Sequence, residues 1–129
     1  MTSQNMEKKF DLEERTARFG EEIIKFYKKV PMNPITMPLI SQGIRAGTSV
    51  GANYCEADDA ESRNDFTHKI GICRKESREV KYWLRMLAIT VLECKEEARR
   101  LWKEAHELNL IFASIVRTSR ANKVKSLDH

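Results

Sequence analysis

The stretch DFTHKIGICRKESREVKYWLRMLAITV, residues 65–91, decides the fold. Phe66, Ile70, Cys73, Ser77, Val80, Leu84, Leu87 and Val91 recur at alternating steps of four and three, the spacing of one helical face. A second apolar line, Ile72, Trp83, Met86 and Ile89, widens the side expected to be buried. Just ahead, Asp58–Ser62 reads as a polar turn, and Ser62 with Asp65 resembles a capping box. A helix is therefore predicted over 62–93.

Downstream the rhythm continues through Cys94 to Ala98, Leu101, Ala105, Leu108, Phe112 and Ile115, with no Gly or Pro in between. Taken literally, Phe66 to Ser119 forms one helix of about 80 Å at 1.5 Å per residue. A turn near Glu93 to Glu96 instead folds the chain back and buries the stripe against its own partner, as a compact core requires. The fourth helix is then expected over 96–120, with a polar tail, 121–129, that frays.

Upstream, a helix is expected over 38–59. It carries Gly43, Gly47 and Gly51 at steps of four. A glycine in a helix interior costs about 1 kcal/mol relative to alanine, so three on one line imply close approach of a neighbouring helix. Charges at Arg45, Glu56 and Asp58 exclude the membrane version of this small-residue pattern. Before it, Val30–Pro38 holds three prolines and makes a connector, with Thr36 suited to cap the next helix and Pro38 tolerated in its first turn. The first helix, over 11–29, places Leu12, Thr16, Phe19, Ile23, Phe26 and Val30 on one face. Its acidic start (Glu13, Glu14) and basic end (Lys25, Lys28, Lys29) suit the helix dipole. The expected fold is an all-α, antiparallel up-down four-helix bundle forming one domain over 1–129.

Composition agrees. The chain has 129 residues, 41% of them hydrophobic and 33% charged, with 5 Gly and 3 Pro. That suits a single packed domain rather than a disordered chain or a turn-rich β-fold. The net charge of +4 permits an acidic or nucleic-acid partner without demanding one. Cys55, Cys73 and Cys94 form no C-x-x-C pair and read as small core residues in a reducing compartment. Met1–Lys9 is polar and lacks the apolar stretch of a signal peptide. No apolar run nears the ~20 residues of a membrane span. A cytoplasmic protein is expected.

No catalytic constellation emerges. A di-iron bundle needs two Glu-x-x-His pairs and two further carboxylates; this chain has one near miss, Asp65-x-x-His68. His106 has Lys103 three residues before it, and His129 lies in the tail. Neither a metal nor a cofactor is expected, and no phosphate-binding glycine loop occurs. Two polar stripes remain. Arg45, Ser49, Asn53 and Glu56 lie on the glycine-bearing helix, with Glu76 and Glu79 as natural partners for Arg45; Asn53 can bond either. They read as a buried polar network fixing helix register, or as a small pocket or subunit contact. Arg74, Arg78, Lys81 and Arg85 form a basic line on the third helix, flanked by Lys69 and Lys75. Such a line neutralises phosphates or is simply a solvated face.

The blocks Arg45-Ala-Gly-Thr-Ser49-Val-Gly-Ala-Asn53-Tyr-Cys-Glu56-Ala57, Asp65-Phe66-Thr-His-Lys69-Ile70-Gly-Ile72 and Lys75-Glu76-Ser-Arg-Glu79-Val-Lys-Tyr82-Trp83-Leu84 resemble those of the bacterial 23S rRNA intervening-sequence proteins, the S23 family. The resemblance covers roughly Phe10 to Arg120; Cys73 and Arg74 depart from the family pattern. It implies an antiparallel four-helix bundle assembled as a ring-like homopentamer. Members are encoded in insertions of 23S rRNA genes and elsewhere. A related bundle, the accessory protein of diversity-generating retroelements, is a basic pentamer that binds nucleic acid and a reverse transcriptase. The family implies no catalytic activity. The expectation is a non-enzymatic homo-oligomer that binds RNA or a nucleoprotein through the basic face, the alternative being an assembly module without a nucleic-acid ligand.

Overall fold

Close packing of α1 on α2 explains the glycine line. In the computed structural model, α1 spans Thr2–Lys28 and α2 spans Thr36–Asp58. The structure describes residues 2–127, and the side chains of residues 12–124. A methyl group added at Gly43 would lie 2.1 Å from the hydroxyl oxygen of Tyr27, and one at Gly47 would lie 2.7 Å from Ile23. Tyr27 and Ile23 thus occupy the space that a side chain on α2 would need, and the two helices run antiparallel.

The link between them is capped differently from the sequence expectation. The Asn33 side chain, not Thr36, accepts the N–H groups of Ile35 and Thr36, both at 2.9 Å. Pro34 follows Asn33 and has no N–H to satisfy, which suits the first position after a cap. Thr36 is buried and turns its hydroxyl back to the Pro31 carbonyl at 2.6 Å.

Helix α3 covers Arg63–Thr90 and is capped by Ser62, which accepts the Asp65 N–H at 3.1 Å. The chain then turns as compactness requires, but earlier than Glu93. Val91 is extended (φ −126°, ψ 92°), and Leu92–Cys94 makes a single 3-10 turn before α4, Lys95–Leu127. Ile89, Thr90 and Val91 are three β-branched residues in a row, which weakens the helix at this point. Helix α1 begins well before residue 11, and α4 continues to Leu127, past the expected fraying at 121. No glycine or proline stands in either extension.

Long-range pairs fix the topology. Cys73 donates to the Val50 carbonyl, and Lys69 pairs with Glu56, so α3 runs antiparallel to α2. Thr67 bonds Ser119, and Asn109 donates to the Arg74 carbonyl at 2.8 Å, so α4 runs antiparallel to α3. Arg15–Glu104, Arg100–Glu22 and Lys29–Glu97 close the ring between α4 and α1. The described residues thus form four antiparallel helices and no strand.

The predicted faces supply the core: Phe19, Ile23 and Phe26 from α1, Ile70, Val80, Leu84 and Leu87 from α3, and Leu101, Leu108 and Phe112 from α4. Tyr54 and Phe112 rings meet within it. On α4 the register slips after Phe112, and Val116 is buried more fully than Ile115. The second apolar line on α3 is not buried as a unit: Ile72, Trp83 and Met86 are half-buried, but Ile89 is 77% exposed. All three cysteines are free, with Cys73 buried, Cys94 half-buried and Cys55 exposed.

Candidate nucleic-acid interface

The sequence predicted one buried polar network on α2; the structure divides it into three. Arg45 reaches across to α3, where Nη1 donates to Glu76 at 3.1 Å and Nη2 donates to Glu79. Trp83 Nε1 donates to the same Glu79 oxygen at 3.1 Å. Glu76 is buried, while the Arg45 side chain is 45% exposed, so the cluster sits at the boundary of the core. Burial works against the charge of Glu79, but hydrogen bonds from Arg45 and Trp83 outweigh it and hold its carboxyl below the ordinary carboxylate range. Ser49 and Asn53 bond only their own helix: Ser49 donates to the Arg45 carbonyl and Asn53 to that of Ser49. Asn53 therefore does not reach Glu76 or Glu79. Glu56 is exposed and pairs with Lys69 at 2.7 Å.

That last pair removes Lys69 from the basic line. The other residues of the line fall along the seam between α3 and α4. The backbone of Arg74 is tied to Asn109. Lys81 lies 3.1 Å from His106 Nδ1, which accepts when the ring carries its proton on Nε2. The Lys81 ammonium also stands over the Trp102 ring, 5.1 Å from its centroid. Burial lowers the Lys81 pKa below the usual lysine value, and the charge of Arg78 lowers it further. Arg85 lines a cleft of about 180 Å3 together with Lys95, Arg99 and Trp102. Toward the other end of the seam, Lys75 joins Arg120 and Lys123 around a cleft of about 500 Å3.

Charge on α4 is partitioned. Glu97, Glu104 and Glu107 turn to α1, where they meet Lys29 and Arg15. Lys95, Arg99, Trp102 and His106 turn to α3. Among the described residues, no carboxylate stands within ion-pair distance of Arg74, Lys75, Arg78, Lys81, Arg85, Lys95 or Arg99. Sequence reading missed Lys95, Arg99 and Trp102, and met His106 only as a metal candidate. The signal was present: 95, 99, 102, 106 and 109 step by four and three, a polar line parallel to the one on α3.

Chemically, the seam offers fixed positive charge and one partly exposed indole. It suits binding of an extended anion. The described residues hold no group of three or more His, Cys, Asp or Glu side chains placed to bind a metal. No helix among them is long and apolar enough to cross a membrane.

Comparison with known proteins places the chain. A solved structure of a protein of unknown function from the S23 ribosomal protein family of Bacteroides thetaiotaomicron is 32% identical. It superposes with a TM-score of 0.77, covering 85% of this chain and 98% of that one. No curated protein matches. The model of the 23S rRNA-intervening sequence protein family matches residues 8–114, and the chain belongs to that family.

Proposed function

We propose that this chain is a non-enzymatic binding module that takes RNA, or the RNA of a nucleoprotein, along the α3–α4 seam. The observation that carries this is the charge partition: cations from two helices share one face, and three of the α4 carboxylates, Glu97, Glu104 and Glu107, are drawn off to Lys29 and Arg15. Solvated charged faces usually mix signs and pair internally; this one does neither. Arg74 to Arg85 spans about 17 Å at 1.5 Å per residue, long enough to meet several phosphates. Binding of this kind releases counterions and weakens steeply with salt. The test is an RNA titration at low and moderate salt, with Arg74, Arg78, Lys81 and Arg85 then changed to Gln. The logarithmic salt slope is expected to flatten by about 0.7 for each phosphate of a single strand that is no longer neutralised. Absence of binding at low salt, or binding indifferent to the four changes, overturns the proposal.

A second reading, an assembly module without nucleic acid, is favoured by a different surface. The α1–α2 link and the α3–α4 turn lie at the same end of the molecule. They expose Met32 (75%), Ile35 (67%), Ile89 (77%) and Leu92 (68%). Apolar exposure of this kind marks contact surfaces. We propose that copies of the chain associate, a ring-like homopentamer being the form that the family resemblance implies. Light scattering over a range of concentrations tests this, and a monomer at high concentration counts against it.

A further inference from the structure

The upper half of the seam has a composition that a plain phosphate-binding stripe does not need. Trp102 stands between the two cationic rows and is 36% exposed. The His106 ring stacks on it at 5.2 Å between centroids and 15° between planes, and the Lys81 ammonium sits 5.1 Å from its centroid. Lys81 and His106 are themselves linked at 3.1 Å. The indole is therefore held by two neighbours before any ligand arrives, and little freedom remains to be lost on binding. The cleft of about 180 Å3 beside it is lined by neither Lys81 nor His106, so it opens on indole surface that those two leave free. Leu84, Ala88 and Ala98 line its apolar part, and Arg85, Lys95 and Arg99 its cationic part. No carboxylate lines it.

An aromatic wall, an apolar floor and a cationic rim match the two halves of a nucleotide: a flat base and its phosphate. A double helix keeps its base faces stacked inside, and an A-form major groove is too deep and narrow for side chains to read. Only an unpaired base can lie against an indole. We propose that this cleft is a single-strand RNA site, in which Trp102 stacks one unpaired base while Arg85, Lys95 and Arg99 hold the flanking phosphates. This deepens the RNA-binding reading and rests on it.

The test uses the full chain with Trp83→Phe, so that fluorescence reports Trp102 alone. A short oligouridylate, an RNA duplex of equal phosphate number and polyglutamate are titrated at low salt. Anisotropy of the labelled RNAs on the unmodified chain gives an independent affinity. Oligouridylate is expected to quench Trp102 and to bind more tightly than the duplex, with polyglutamate a poor competitor. Trp102→Ala is expected to weaken single-strand binding about tenfold, the scale of a single base–aromatic stack, with duplex affinity little changed. Trp102→Phe, which keeps an aromatic face, is expected to retain most of the affinity, and circular dichroism checks that both variants fold. Equal affinity for single strand and duplex, with neither altered in Trp102→Ala, overturns the single-strand site but leaves seam binding standing. So does loss of binding to both RNAs to the same degree in Trp102→Ala and Trp102→Phe. Polyglutamate competing as well as RNA overturns it too, since charge alone would then suffice. Failure of either RNA to bind at low salt overturns this inference and the broader reading together.

Discussion

Arg15 grips Glu104 with two parallel hydrogen bonds, Nε at 2.9 Å and Nη2 at 2.8 Å, joining α1 to α4. The same Nη2 reaches Glu107 at 3.0 Å. Fork geometry of this kind is the stronger form of ion pair. It lies on the seam between α1 and α4, with Lys29–Glu97 and Arg100–Glu22 further along.

Acid should loosen this seam. The Arg15 hydrogen bond holds the Glu104 carboxyl below the ordinary carboxylate range, and burial opposes it without prevailing. A carboxyl with a depressed folded-state value contributes stability that is present above its unfolded value, about 4.3, and is lost as pH falls through the folded one. Glu104→Gln is expected to cost about 1 kcal/mol near neutrality, the upper end for a part-exposed pair. Its disadvantage should shrink between roughly pH 5 and pH 3 as the native carboxyl protonates. Urea melts at both ends of that window measure this, and a constant difference between the two proteins counts against it.

Two glycine substitutions should act in opposite directions. Gly43→Ala sets a methyl against Tyr27, a buried side chain with no room to retreat, and is expected to destabilise by about 2 kcal/mol despite the gain in helix propensity. At Gly71 an added methyl meets nothing within 4 Å. Gly71→Ala should therefore stabilise by about 0.5–1 kcal/mol, the ordinary helix-interior gain. Thermal melts of the two variants decide it; equal signs would show the packing account to be wrong.

The Arg45 cluster should behave as a unit. Arg45→Met leaves Glu76 and Glu79 side by side without their cation, and is expected to cost about 1–2 kcal/mol. Glu79→Gln should cost less, and the double variant less than the sum. A coupling energy of about 1 kcal/mol in that cycle is the expected result, and strict additivity would dissolve the cluster into independent contacts.

Thiol chemistry offers a direct reading of the interior. Burial pushes the Cys73 thiol up to about 12, and its Sγ donates to the Val50 carbonyl at 3.5 Å. Since the thiolate is the reactive form, Cys73 should resist a disulfide reagent in the native protein. Cys55, which is exposed, should react at once, and Cys94 more slowly because burial raises its thiol too. Rapid native titration of three thiols would place Cys73 at the surface.

Much of this was legible in the sequence for a simple physical reason: helices bury one stripe, and stripes repeat. Thr16 to Phe26 on α1, Val30 just past its end, and Ile70 to Leu87 on α3 are buried as their spacing predicts. The α3–α4 turn was harder, because Val91 and Cys94 stay in phase with the stripe while the backbone leaves the helix. Its trace was β-branching rather than a glycine or proline. Arg45 found Glu76 and Glu79 as charge complementarity suggests. Ser49 and Asn53 did not join them, because a polar side chain four residues along a helix can bond the carbonyl behind it. The basic line was visible as half of a pair. Its other half, on α4, is spaced as a line in the sequence, but only the fold sets the two lines side by side, with Trp102 under Lys81.

The partition of charge on α4 also makes the molecule directional before it touches anything. Cations crowd the side toward α3, while the carboxylates opposite are neutralised by Lys29 and Arg15. The result is an uneven electric field around a body whose net charge is only +4. A diffusing copy near a polyanion would be turned to present its α3–α4 side before contact, and encounters would become productive more often than size alone allows. Added salt would then slow arrival as well as hasten departure.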